Sequence, residues 1–160
     1  MSLIPQTPIQ TDLSPVQDPF WPPVGTGEFR DRYRVDPGHS DDRCLAALQG
    51  AVFWTNALLR AWKSEQITAG FHRLSDLPAD GDAYSGVGDY APTPLVQEYQ
   101  TAVYARAKAH LIAATRDIDT TGDGHRRADA LEKTGSEYYR EAHLAVRKIT
   151  GQTALTVDLI

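Results

Sequence analysis

The stretch SDDRCLAALQGAVFWTNALLRAWKSEQ, residues 40–66, decides how this chain is read. Ser40 is placed to cap a helix, because its hydroxyl can accept from the orphan amides of a first turn. Asp41 and Asp42 then put negative charge where the helix dipole favours it. From there Leu45, Leu48, Val52, Thr55, Leu59 and Trp62 recur at spacings of three and four, and Cys44, Ala51, Trp54 and Leu58 widen the apolar stripe. That period predicts one helix over 40–66. Gln49, Thr55, Asn56 and Arg60 interrupt the run too often for a segment lying in lipid, so it reads as a core helix and no membrane is expected as a partner. A stripe this wide meets more than one neighbour: in a monomer it marks a central helix, in an oligomer a subunit interface.

Downstream, Gly70, Pro78, Gly81, Gly86, Gly88 and Pro92 forbid a regular helix, so 67–92 is expected to be a long loop, with Phe71, Leu74, Leu77, Tyr84 and Tyr90 as apolar anchors. Thr93 followed by Pro94 is an N-cap with proline at the first helical position, opening a helix over about 93–115 whose apolar face is rich in alanine. Past a polar turn, Ala128, Leu131, Gly135, Tyr138, Ala142, Ala145 and Ile149 trace a last helix over about 124–150, closed by Gly151. Residues 152–160 are β-branched and strand-like. Upstream, Thr26 is placed to cap a short helix over about 27–34, with Phe29 and Tyr33 four apart on one face.

Residues 1–25 hold six of the ten prolines, which fix φ and remove donors, so they read as an extended arm. Its aromatic pair, Phe20 and Trp21, either docks on another surface, a capsid contact among them, or folds back onto its own domain. The fold class is therefore mainly α: four helices within 26–151, an extended N-terminal arm and a strand-like C-terminal tail.

Composition excludes several functions. A formal net charge of −5 argues against affinity built on neutralising phosphates. A single cysteine, Cys44, excludes an intrachain disulfide and a multi-cysteine zinc site. The first basic side chain is Arg30, so the charged and apolar regions of a secretory leader are not expected. The turn at Asp117, Asp119, Thr121, Gly122 and Asp123 resembles the start of an EF-hand loop, but its twelfth position is Ala128 where calcium needs a bidentate Glu. His39, His72, His110, His125 and His143 have no metal-ligand spacing, and no Walker, dinucleotide or nucleophile-elbow pattern occurs. No enzymatic activity, cofactor or metal is expected. On residues alone the competing reading is a small helical DNA-binding regulator, which the mixed charges of the last helix disfavour.

Two strings narrow this further: ITAGFHRLSDLPAD at 67–80 and GDGHRRADALEKTGSEYYREAHLAVRKITG at 122–151. They resemble the head completion/stabilisation proteins, the gpL family, of contractile-tailed temperate phages of the peduovirus type. The resemblance extends upstream through FRDRYRV at 29–35 and the Ser40 helix, covering roughly 18–160. It implies a head-to-tail adaptor: a ring of twelve copies docked beneath the portal protein, sealing the filled head and meeting a tail terminator or neck protein. DNA would then be passing cargo, and the chain would sit at the head-tail junction of the virion after assembly in the host cytoplasm. Under this resemblance the long loop, through Phe71, Arg73, Leu74 and Asp76, is expected at a subunit interface. The tail Leu155, Thr156, Val157, Asp158, Leu159 and Ile160 is expected to contact the portal by adding a strand to a sheet edge, against the alternative of folding back on its own helices.

Overall fold

A computed structural model describes residues 12–78, 93–116 and 124–151, and among them the chain is mainly helical, without strands. The five α-helices are α1 (Thr26–Tyr33), α2 (Asp41–Leu58), α3 (Arg60–Thr68), α4 (Pro94–Arg116) and α5 (Gly124–Ile149), with a 3-10 turn at Leu74–Asp76. The helix starts follow the capping chemistry of the sequence. Ser40 accepts from the Arg43 amide at 3.3 Å, and Thr93 accepts from the Val96 amide at 3.3 Å, with Pro94 at the first helical position. At the other end of α5, Gly151 takes a left-handed φ of 67°, which glycine adopts without a Cβ clash.

The segment expected as one helix over 40–66 is two. Leu59, at φ −92° and ψ 4°, separates α2 from α3, and α3 runs on to Thr68. Two i−4 bonds meet at the break: the Leu59 amide donates to the Thr55 carbonyl at 3.0 Å, and the Lys63 amide to the Leu59 carbonyl at 2.8 Å. No proline or glycine sits there, and the Leu59 side chain is wholly buried. The apolar spacing of threes and fours runs through Leu59 unchanged, which is why periodicity alone does not reveal the break.

α4 is the central helix. It packs along α5 and α2, and its buried face is Val96, Tyr99, Ala102, Val103, Ala107 and Leu111. Four small alanines per few turns let α5 lie close, and Gly135 of α5 meets Ile112 at 3.4 Å from where its Cβ would stand. From α2 the core receives Cys44, Ala47, Leu48, Ala51, Val52 and Thr55, and from α5 Ala145, Val146 and Ile149.

The described part of the arm, from Asp12 to Val24, is not free. Phe20 and Trp21 are 3% and 4% exposed. Trp21 stacks on Tyr99 with centroids 4.7 Å apart and planes 7° from parallel, and Phe20 meets Trp21 edge-on at 4.8 Å. Of the two readings of these aromatics, the structure holds the second: they belong to the chain's own core, so they offer no contact to another surface. Burying two large rings outweighs the cost of ordering the proline-rich backbone that carries them.

Polar contacts hold the rest of the arm. The Gln49 side-chain amide pairs with both backbone groups of Val16, at 2.9 and 3.0 Å, as a neighbouring strand would. Lys63 pairs with Asp18, which keeps that carboxyl below its ordinary pKa, and the Phe20 amide adds to the effect. The Leu74 amide donates to the Phe20 carbonyl at 2.9 Å, tying the 3-10 turn to the arm.

Thr26 is not the cap of α1. Its amide and hydroxyl pair with Leu13, at 2.8 Å each, and Gly25 occupies the cap position without a side chain to donate to. The cap comes from the arm: Asp12 Oδ1 accepts from the Gly27 amide at 2.9 Å. A Cβ on Gly25 would stand 2.7 Å from that oxygen, so glycine there clears the carboxylate's seat.

Candidate functional site

Three surfaces stand out among the described residues. The first is the outward face of α2. Ala46, Gly50, Phe53 and Ala57 lie at helical spacing and are all exposed, Phe53 by 64%. No charged residue occurs between Arg43 and Arg60. Nothing lies within 4 Å of a Cβ built on Gly50. Beside this face a cation-aromatic cluster bridges three helices: Arg106 of α4 lies over the rings of Trp54 (5.6 Å) and Tyr139 (5.0 Å), and His143 of α5 meets Trp54 edge-on at 4.9 Å.

The second is a groove of about 340 Å³ where α3, the segment after it, the start of α4 and the end of α5 converge, lined by Trp62, Phe71, Leu77, Leu95 and Ile149 together with the polar Gln66, Lys148 and Thr150. Here the structure divides the residues expected at an interface. Leu74 is wholly buried in the chain's own core, and Phe71 is partly buried in the groove wall. Arg73 and Asp76 are exposed. The tail residues Leu155 to Ile160 lie outside the described residues, as does the loop over 79–92.

The third is a cavity of about 390 Å³ between the loop before α2 and the last turns of α4. Asp36, His39 and Arg43 line one side; Lys108, Leu111, Ile112 and Thr115, at i, i+3, i+4 and i+7 of α4, line the other. Arg30, only 6% exposed in its side chain, holds the loop in place by donating to the His39 carbonyl (2.7 Å) and to Asp41 (2.8 Å). Lys108 donates to the Arg34 carbonyl at 3.3 Å, and no carboxylate among the described residues pairs with it or with Arg43. Burial holds both Lys108 and His39 below their ordinary pKa values; Asp36 opposes this in each case, and the cations Arg43, Lys108 and Arg30 add to it for His39.

Sequence reasoning passed over this cavity because its groups come from two segments some seventy positions apart, which no local spacing relates. None of the three surfaces brings a nucleophile to a base. Burial pushes the Cys44 thiol up, away from the reactive range. Among the described residues no group of three or more His, Cys, Asp or Glu is placed to hold a metal ion, and no helix is long and apolar enough to cross a membrane.

Among the described residues, the helical domain thus carries two mixed polar and apolar cavities and an exposed apolar helix face, surfaces suited to binding another chain. Residues 16–160 match the model of the phage head completion protein (GPL) family, and the chain belongs to that family. It is 30% identical over 141 residues to the head completion/stabilization protein of Escherichia phage P2, covering 88% of this chain and 79% of that one. No solved structure gives a significant match.

Proposed function

We propose that this chain is a structural component of the virion at the head-tail junction, where copies of it form an adaptor ring on the portal protein and complete the DNA-filled head for tail attachment. Membership of the head completion family over nearly the whole chain carries this reading. The surface supports it: among the described residues the outer face of α2 is apolar and exposed, Phe53 most of all, and exposed apolar patches mark interaction sites. Twelve copies are the stoichiometry proposed, with the portal on one side and a tail terminator or neck protein on the other. Assembly takes place in the host cytoplasm, and DNA is cargo rather than ligand. The DNA-binding regulator is not favoured, because the family match points to head assembly and the chain's net charge of −5 gives no general attraction to a duplex.

The test is native mass measurement of the purified chain, alone and with portal. A closed ring of identical copies in either sample supports the reading. A monomer in both overturns it.

A further inference from the structure

The cavity between the loop before α2 and the end of α4 is amphipathic. Its cations, Arg43 and Lys108, have no carboxylate partner among the described residues, while Leu111 and Ile112 give it an aliphatic wall. A lone phosphate would satisfy the first half and leave the second wet. A ligand that fits both carries a carboxylate set between branched aliphatic side chains, and about 390 Å³ holds a few residues of peptide rather than a small ion. This chain contains such a segment: Asp158 stands between Val157 and Leu159.

We infer that the cavity seats the 155–160 segment of a neighbouring copy, with the Asp158 carboxylate at Lys108 and Arg43 and its aliphatic neighbours on Leu111 and Ile112. The inference rests on the ring reading above and supplies its contact. A segment fitting a different surface on the next copy is a heterologous contact, the kind that closes into a ring by rotation. Geometry favours a neighbour over the chain itself. The Lys148–Glu98 bridge, at 2.7 Å, fixes the end of α5 at the start of α4, whereas the cavity begins at Lys108 and continues to Thr115. At 1.5 Å per helical residue that is about 15–25 Å along α4. Seven residues from Gly151 to Asp158 span at most about 25 Å when fully stretched, so the chain's own tail reaches Lys108 only by using more than half of that length along the helix axis, before rounding the domain and turning in. Lys108 is partly desolvated and forms no ion pair among the described residues, with Asp36 across the cavity offsetting only part of the cost, so with Arg43 beside it the site gains from a carboxylate arriving from outside.

Two measurements test this. In the first, full-length chain carrying Asp158→Ala, so that no charged tail competes, is titrated into a labelled synthetic peptide of residues 151–160 and followed by fluorescence anisotropy. Saturable binding is expected. Adding Lys108→Glu to the protein weakens it by roughly tenfold or more, the scale of losing a charge-assisted bond, and a peptide with Asp158→Lys recovers affinity for that double variant. No binding, or binding indifferent to Lys108→Glu, overturns the inference.

In the second, full-length Lys108→Glu and Asp158→Lys chains, each checked for unchanged helical content by circular dichroism, are examined separately and mixed by native mass measurement, with portal present. Each alone fails to form the ring and the mixture restores it, since the reversed pair and the native pair alternate around the ring. Mixing without effect, or intact rings from either variant alone, overturns the neighbour contact while leaving the ring itself standing. A tail bound to portal and indifferent to Lys108→Glu overturns it as well. If the unaltered chain forms no ring on portal, it is the ring reading that fails, and the peptide titration still reports on the cavity.

Discussion

Asp12 shows how a single side chain acts at a distance in sequence. It caps α1 through the Gly27 amide although fifteen residues separate them, because the Leu13–Thr26 pairing brings the arm alongside the helix start. Asp12→Ala is expected to lower stability by about 1 kcal/mol, the usual cost of a lost N-cap, read as a shift in the urea midpoint. Arg34 ends the same helix at φ 44°, a conformation that costs an L-residue roughly 1–2 kcal/mol. Arg34→Gly should therefore raise the urea midpoint, by up to about 1 kcal/mol after the extra freedom glycine gains in the unfolded chain.

At His39 the sign of the pH effect follows from burial beside Arg43, Lys108 and Arg30, against Asp36, which together hold it below its ordinary 6.5. The unfolded chain then binds the proton more readily than the folded one. Stability is full above about pH 6.5 and declines as pH falls below it. His39→Gln should flatten the thermal-midpoint profile between about pH 7 and 5; an unchanged slope would place the titration elsewhere.

Among the elements, what the sequence revealed was local and what it hid was not. Ser40, Thr93–Pro94 and Gly151 announce helix ends through their own backbone chemistry, and the corresponding boundaries fall within a residue or two of expectation. The break at Leu59 stays hidden, since the apolar spacing of threes and fours runs through it unchanged and no proline or glycine marks it. The packing of the arm is hidden for another reason. Six prolines describe a backbone that cannot form helix, yet they say nothing of whether Phe20 and Trp21 find Tyr99 some eighty residues on. Leu74 and Leu77, apolar anchors of the loop by pattern, are buried as such, but that the Leu74 amide reaches the Phe20 carbonyl of the arm no local pattern shows. Trp21→Ala should cost about 3–5 kcal/mol, far more than removing a ring from a flexible arm, as read by chemical denaturation. The close approach of α5 to α4 at Gly135 leaves a 3.4 Å contact with Ile112 for an added methyl, so Gly135→Ala should be tolerated and raise stability by about 0.5–1 kcal/mol through helix propensity.

For the molecule as a whole, the function was legible through a family's sequence pattern rather than through chemistry. A site that works by assembly carries no nucleophile, metal or phosphate loop to betray it, and the cavity at Lys108 draws its residues from segments seventy positions apart. The outer face of α2 is the surface where a neighbour's contact and the chain's own stability can be separated. Phe53→Glu should leave the thermal midpoint within about 0.5 kcal/mol of the parent, as surface changes do, while abolishing completed heads in a phage complementation assay; undiminished head completion would show that this face stays in water. The stacking of Trp21 on Tyr99 also has a consequence in time. The arm leaves the ribosome early, and its place in the core does not exist until α4 has been made. Until then Phe20 and Trp21 are exposed on an unfinished chain, the species most prone to aggregate. The arm, among the first parts synthesised, is thus seated only once α4 exists, so burial of the Trp21 ring against Tyr99 marks when the two ends of the fold have come together.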